Sequence, residues 1–102
     1  MADTKRGTQG DVLEQTRTEK PRRYKVLIHN DDYTTMEFVV HVLEAVFRHS
    51  PASARRLMLA IHNSGYGVAG VYTKEIAETR VEQTIELARS AGHPLQCTME
   101  LE

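Results

Sequence analysis

Three polar side chains stand in a row at Asn30, Asp31 and Asp32, inside the stretch HNDDYTTMEF that covers residues 29–38. An amide and two carboxylates accept hydrogen bonds, and the carboxylates attract positive charge. Asp and Asn favour tight turns, and an Asp ahead of a helix N-terminus interacts favourably with the helix dipole. The triplet therefore has two candidate uses: it caps a helix, or it holds a cationic group.

The helix-capping interpretation accounts well for the residues after the triplet. Thr34 and Glu37 fit a capping box, in which the N-cap and the third helical residue hydrogen-bond each other's backbone N–H groups. We therefore expect Thr34 to be the N-cap of a helix in MEFVVHVLEAVF. One capping residue suffices for one helix, so this interpretation explains only part of the triplet.

The cationic-ligand interpretation depends on a second group of residues. Met58, Ile61 and His62 are spaced so that one helix face presents all three. Met36 and Val39, on the preceding helix, could face the same space. Together they would form an apolar hole rimmed by the polar triplet and His62, suited to a bulky apolar group beside an ammonium. Methionine is more often a core filler, and a lone His beside an apolar stripe is more often structural, so the residues alone favour the structural interpretation.

The elements that position these residues follow from periodicity and from helix-terminal signals. YKVLIHN, GVAGVYT and LQCTME are typical of strands, and the glycines of the second suggest a bulge or a close backbone approach. A helix begins at Ser50 and Pro51 and ends at Gly65, and the last helix stops at Gly92. The last helix is expected to turn these side chains inward: Ala77, Val81, Thr84, Ile85 and Ala88.

The expected fold is a small α+β domain with the order β-α-α-β-α-β over residues 24–102. It has a three-stranded antiparallel sheet covered by three helices. Residues 1–23 carry six Lys/Arg and four Asp/Glu among few apolar residues, so we expect a disordered tail or a frayed terminus there.

Composition excludes several classes of protein. A net charge of −1 argues against a nucleic-acid-binding protein, and no apolar run is long enough to span a membrane. The single cysteine, Cys97, rules out an intramolecular disulfide and fits a reducing compartment. The N-terminal residues lack the apolar core of a secretory signal, so a cytoplasmic location is expected.

Four motifs in order resemble one family, the adaptor of the Clp ATP-dependent proteases, the ClpS family. They are YKVLIHNDDYTTMEFV, LMLAIHNSG, GVYTKEIAETRV and HPLQCTME, and they span the whole predicted domain. The resemblance implies a monomeric adaptor without catalytic activity, cofactor or metal. Such an adaptor binds proteins with a free α-amino group and a bulky first side chain (Leu, Phe, Tyr or Trp). It presents them to the N-terminal domain of a Clp-family AAA+ unfoldase and so modulates which substrates are degraded.

The resemblance also assigns roles to residues. The α-ammonium would contact Asn30, Asp31 and His62, and the peptide near its first residues would contact Asp32 and Thr34. The side-chain pocket would be lined by Met36, which acts as a gatekeeper against β-branched side chains, and by Val39, Met58, Ile61 and Leu95. Glu75 and Arg80 match positions that face the unfoldase, and residues 1–23 match an extension that helps to hand over the substrate.

This chain departs from the family pattern at two positions. Thr35 stands where the family usually has Pro, so we expect some loss of rigidity near Met36. Ala69 replaces a common family cysteine, which we interpret as a neutral packing change.

Two other classes of function compete with the adaptor hypothesis. His29, Asp31, Asp32 and His62 could be metal ligands and Cys97 a nucleophile, but their spacing matches no strong metal motif and no base lies near Cys97 in sequence. A pocketless interaction module of the same fold would instead dock through the acidic helix face between Glu75 and Glu86.

Overall fold

The computed structural model describes residues 20–102, so the predicted tail lies outside the described residues except for its last four positions. In the described part the chain forms these elements in order: β1 (Arg23–His29), α1 (Met36–Ala45), α2 (Pro51–Ser64), β2 (Tyr66–Thr73), α3 (Lys74–Ala91) and β3 (Gln96–Leu101). The predicted β-α-α-β-α-β order is confirmed. The first strand begins one residue earlier than the predicted domain boundary.

The sheet is antiparallel throughout residues 20–102, with β1 in the centre of the order β2-β1-β3. The apolar run of β1 explains this position, because Val26 and Ile28 are fully buried on the helix-covered face and Leu27 is 5% exposed on the other. The pairing of β1 with β2 shifts between Val26 and Leu27, which leaves Ala69 as the extra residue of a bulge. The bulge inferred from the glycine-containing strand is confirmed.

Most helix ends lie where the sequence signals place them. The Ser50 side chain accepts a hydrogen bond from the Ser53 backbone N–H, and Pro51 follows as the first helical residue. Gly65 and Gly92 end α2 and α3 in the left-handed region, with φ of 96° and 80°. Glycine adopts that region without the steric cost a side chain would add, which is why both positions act as stop signals.

The start of α1 corrects one prediction. The N-cap is Thr35, whose hydroxyl oxygen accepts a 3.1 Å hydrogen bond from the Phe38 backbone N–H. Thr34 is not the cap, because its hydroxyl donates to the Asp31 carboxylate instead. Glu37 is then the second helical residue, so the predicted capping box is wrong.

The core lies between the sheet and the three helices, and it is mainly aliphatic. Ala77, Thr84 and Ala88 of α3 are buried as expected, and Thr84 satisfies its hydroxyl on the Arg80 carbonyl at 2.9 Å. Ile85 is a wrong prediction, since 37% of its surface is exposed. No helix within residues 20–102 has the length and apolar character that a membrane span requires.

Candidate functional site

The loop that follows β1, the first turn of α1 and the C-terminal half of α2 enclose a cavity of about 260 Å³. All of its lining residues are ones that the sequence singled out: Asn30, Asp31, Asp32, Thr34, Met36, Val39, Met58, Ile61 and His62. The residues of the polar triplet and those of the two helices therefore meet around one space. Its volume is below the usual range for a drug-sized ligand and suits a single side chain with its adjoining group.

Two backbone features bring the walls of this cavity together. The Asn30 N–H donates a 2.8 Å hydrogen bond to the Gly65 carbonyl, which joins the end of β1 to the end of α2. Gly67 lets β2 pass close to α2, because a Cβ atom there would lie 2.7 Å from Cγ1 of Ile61. The cavity therefore depends on both contacts between β1, α2 and β2.

The floor of the cavity is apolar and its mouth is partly covered by a flexible side chain. Ile61, Val39 and Met58 are 1%, 7% and 9% exposed, so they form a dry floor continuous with the core. Met36, the first residue of α1, is 46% exposed at the mouth. An unbranched thioether side chain adapts to the shape of what it contacts, so Met36 can adjust to an occupant.

The Asp31 carboxylate shapes the loop that forms the polar rim. Its Oδ1 accepts hydrogen bonds from the backbone N–H groups of Tyr33 at 2.8 Å and of Thr34 at 2.7 Å. Its Oδ2 accepts from the Thr34 hydroxyl at 2.7 Å. A carboxylate has about four acceptor sites, so Asp31 retains one on Oδ2 for a further donor. Asp31 thus holds the loop in place and can still accept a hydrogen bond from a ligand.

The surroundings of Asp31 favour its charged form. Partial burial raises the pKa of this carboxyl. Hydrogen bonds from Thr34 and Tyr33 and the nearby charge of His93 lower the pKa by more, so the net shift is downward. His93 stacks on Phe38 with ring centroids 4.4 Å apart. Sequence spacing did not point to His93, because it reaches the site only through the packing of the segment after α3.

His62 completes the rim from the last turn of α2. A neutral imidazole can accept a hydrogen bond through one ring nitrogen, and the carbonyl end of a helix favours positive charge nearby. With two carboxylates, an amide and this imidazole around the mouth, the rim is suited to a small cation bearing several N–H donors.

Three predicted site residues lie away from the cavity. Leu95 does not line it as the side chains stand, because it is 6% exposed within the core. Its pocket role stays a prediction. Glu75 and Arg80 lie on α3, where the Arg80 guanidinium sits 5.7 Å from the centre of the Tyr72 ring. Neither residue lines the cavity, and their role toward the unfoldase stays a prediction.

The described residues offer little to the metal and nucleophile hypotheses. No group of three or more His, Cys, Asp or Glu side chains is arranged to hold a metal ion within residues 20–102. Burial raises the pKa of the Cys97 thiol to about 11, only partly offset by a hydrogen bond with Thr84, so it is protonated at neutral pH. Cys97 is therefore not an activated nucleophile.

Comparison with known proteins places this geometry in one family. The family model for the ATP-dependent Clp protease adaptor protein ClpS matches residues 19–98. The adapter protein ClpS of Desulfatibacillum aliphaticivorans is 58% identical over 95 residues, covering 91% of each chain. That of Caulobacter vibrioides is 53% identical over 107 residues and covers 98% of each chain.

A solved structure agrees with these matches. A ClpS2 of Agrobacterium tumefaciens bound to L-phenylalaninamide superposes with a TM-score of 0.78 at 46% identity, over 81% of this chain and 100% of that one. The chain therefore shares its fold with this solved ClpS2, and the sequence matches point independently to the same family. The chain belongs to the ClpS family of ATP-dependent Clp protease adaptor proteins.

Proposed function

We propose that this adaptor binds proteins that begin with a free α-amino group and a bulky apolar residue, namely Leu, Phe, Tyr or Trp. It delivers them to a Clp AAA+ unfoldase for degradation. The observation that carries the proposal is one cavity with an apolar floor and a rim of acceptors. An N-terminal residue is a ligand that carries an apolar group and an ammonium on the same carbon.

The rim accounts for selection of a free N-terminus. A peptide α-amino group has a pKa of about 7.7–8.0 and is mostly cationic at neutral pH. In the proposed complex, Asn30, Asp31 and His62 accept hydrogen bonds from this ammonium, and charge assistance makes such bonds roughly twice as strong as neutral ones. Acetylation removes the charge and two donors, and each acceptor left unpaired costs about 1–3 kcal/mol. Asp32 and Thr34 contact the peptide after its first residue.

The floor accounts for selection of a bulky first side chain. Burying a Leu or Phe side chain against Val39, Met58 and Ile61 contributes about 1.5–3 kcal/mol. An Ala side chain gains far less from the same cavity. Met36 at the mouth contacts the side chain near its β-carbon and disfavours β-branching there. The ClpS2 relative is described as bound to L-phenylalaninamide, a compound with a free α-amino group and a benzyl side chain, which supports this ligand class.

Delivery uses a different surface in this proposal. Glu75 and Arg80 contact the N-terminal domain of the unfoldase from the first turns of α3, away from the cavity. The adaptor acts as a cytoplasmic monomer and leaves the peptide-bond chemistry to its protease partner. Because the two sites are separate, we expect substrate and unfoldase to bind additively. A linked titration that shows coupling above about 1 kcal/mol would contradict this expectation.

The decisive experiment is a fluorescence anisotropy titration with a labelled peptide that begins with free Phe. Matched peptides with an acetylated Phe and with a free Ala serve as controls. We expect only the free Phe peptide to bind, and His62→Ala or Met58→Ala to weaken it at least tenfold. Equal binding of all three peptides, or of none, would overturn the proposal. The His62→Ala and Met58→Ala variants could also bind the unfoldase while neither they nor the unmodified chain bind any peptide. That result would favour the pocketless module that docks through Glu75 to Glu86.

A further inference from the structure

A groove of about 800 Å³, larger than the candidate site, runs along α3 beside the end of α1. Val46, Leu87 and Ile85 form an apolar floor, and Ile85 is 37% exposed although the sequence placed it in the core. This groove shares no lining residue with the peptide cavity. Within residues 20–102, Ile85 is the exposed part of this floor, Leu87 is half-buried, and Val46 is 8% exposed.

The groove lining holds three arginines (Arg48, Arg80 and Arg89) and two glutamates (Glu82 and Glu86), and two of the arginines form no salt bridge within residues 20–102. Arg89 pairs with Glu86 at 3.1 Å, but neither Arg48 nor Arg80 is within salt-bridge distance of an acidic group in residues 20–102. Arg80 lies over the Tyr72 ring and donates to the Gln83 side chain. An occupant with apolar side chains flanked by carboxylates would match this lining.

Arg48 itself occupies an unusual backbone position. Its φ of 63° lies in the left-handed region, where it is the one residue other than glycine in the described part. Gly or Asn is the usual residue at such a position after a helix. A long cationic side chain at a position that disfavours it is consistent with use of the guanidinium in the groove.

The chain has one segment outside the described residues with the matching chemistry. Residues 11–14 read Asp-Val-Leu-Glu, and Val12 and Leu13 are the only adjacent large apolar residues in residues 1–19. Their flanking carboxylates, at Asp11 and Glu14, provide a partner for each unpaired arginine. We propose that residues 11–14 of the same chain dock in this groove, with Val12 and Leu13 on its apolar floor.

The length of the connecting chain permits this docking. Residues 20–22 lie beside Thr73, Lys74 and Glu75, at the start of α3. Gln83, in the middle of the groove, is eight residues further along α3, about 12 Å at a rise of 1.5 Å per residue. The seven residues from Leu13 to Lys20 reach about 23–25 Å when extended. The segment therefore reaches the groove with length to spare for the path around the helix.

The docking does not depend on the proposed function, but its effect on unfoldase binding does. Arg80 lines the groove and is also a proposed contact of the unfoldase. A docked segment therefore competes with the unfoldase for Arg80, and if it is docked in about nine molecules out of ten it lowers the apparent affinity about tenfold. The N-terminal segment would then hold the adaptor back until an unfoldase displaces it.

Paramagnetic broadening in the full-length chain tests the docking directly. A nitroxide is attached to Thr16→Cys, and the native Cys97 is spared because it is 5% exposed with a protonated thiol. We expect strong broadening of the amide signals of Arg80, Gln83 and Leu87. The broadening is lost in V12D/L13D and kept in T4D/T8D, which adds the same charge elsewhere in the N-terminal residues. Arg48→Asn, which tolerates the same backbone conformation, weakens it.

Three outcomes would overturn the proposal. Broadening confined to residues 20–23 and 73–75 would show that the segment does not reach the groove. Broadening that V12D/L13D leaves unchanged would show that residues 11–14 are not the occupant. Broadening of an unlabelled, isotope-enriched chain mixed with the nitroxide-bearing chain would identify a second copy as the occupant. A separate titration of the unfoldase N-terminal domain, expected to be about tenfold tighter for V12D/L13D, tests the consequence.

Discussion

Asp31→Asn separates two roles of one carboxylate: holding the rim loop and attracting a ligand ammonium. Asn keeps the shape of Asp. Its amide oxygen can still accept hydrogen bonds from the backbone N–H groups of Tyr33 and Thr34, which lie 2.8 and 2.7 Å from Oδ1 of Asp31 in the unmodified chain. The Thr34 hydroxyl can rotate and accept from the new amide N–H. The loop can therefore persist while the negative charge is lost.

The structure sets the expected magnitudes. Hydrogen bonds to a charged group contribute about 1.5–3 kcal/mol and neutral ones about 0.5–1.5 kcal/mol, and partial exposure of Asp31 favours the lower ends. Asp31→Asn should therefore lower the free energy of unfolding by about 1–2 kcal/mol, and Asp31→Ala, which leaves two backbone N–H groups without this acceptor, by about 2–4 kcal/mol. Loss of the charge facing the ammonium should weaken peptide binding by roughly 10- to 100-fold in both variants.

Urea unfolding monitored by circular dichroism measures the stability, and anisotropy of a labelled free-Phe peptide measures the affinity. We expect Asp31→Asn to be well folded yet to bind the peptide weakly. Asp32→Asn is the matched control: Asp32 is exposed and carries no side-chain hydrogen bond within residues 20–102, so its stability should change by less than about 0.5 kcal/mol. If Asp31→Asn binds the peptide within twofold of the unmodified chain, Asp31 serves only the loop and the ammonium site lies elsewhere.

Four further predictions follow from the same geometry. Thr35→Ala should lower the free energy of unfolding by about 1 kcal/mol, because it removes the cap bond to Phe38. Thr35→Pro should leave the free energy of unfolding nearly unchanged, because the Thr35 φ of −72° already suits proline. Proline also makes the unfolded chain stiffer, which offsets about 0.4–1 kcal/mol of the cost of losing the cap hydrogen bond. Gly67→Ala should cost about 1–3 kcal/mol and weaken peptide binding, since its Cβ would press on Ile61 in the cavity floor. The lowered pKa of Asp31 contributes stability above about pH 4 that is lost as the pH falls through the folded-state pKa, so acid unfolding should be less steep in Asp31→Asn.

Each of these has a control and a contrary result. Urea midpoints compare the two Thr35 variants, and a Thr35→Pro chain that is less stable than Thr35→Ala would show that the preceding residue cannot adopt the conformation proline requires. Ile61→Val should partly rescue Gly67→Ala by removing a methyl from the crowded contact; an additive double variant would refute the steric explanation. For acid unfolding, an Asp31→Asn profile as steep as that of the unmodified chain would show that the Asp31 carboxylate does not contribute to the loss of stability in acid.

Several features of this protein could be predicted from the local sequence alone. Ser50, Gly65 and Gly92 mark helix ends through backbone preferences that belong to the residue itself, and the structure confirms all three. The Met58, Ile61 and His62 spacing placed three cavity residues on one face because helical geometry depends only on separation along the chain. The ordered motifs identified the ClpS family for the same reason: they lie in fixed sequence positions.

Only the tertiary structure determined which hydrogen-bond partner each side chain has and which side chains are buried. The sequence predicted Thr34 as the cap, but the Thr34 hydroxyl donates to the Asp31 carboxylate and Thr35 is the cap. Ile85 fits the inward stripe of α3, yet it faces the open groove because no element within residues 20–102 packs over it. Local spacing fixes direction along one element, whereas hydrogen-bond partners and burial depend on which distant groups arrive, and that is determined only when the elements pack.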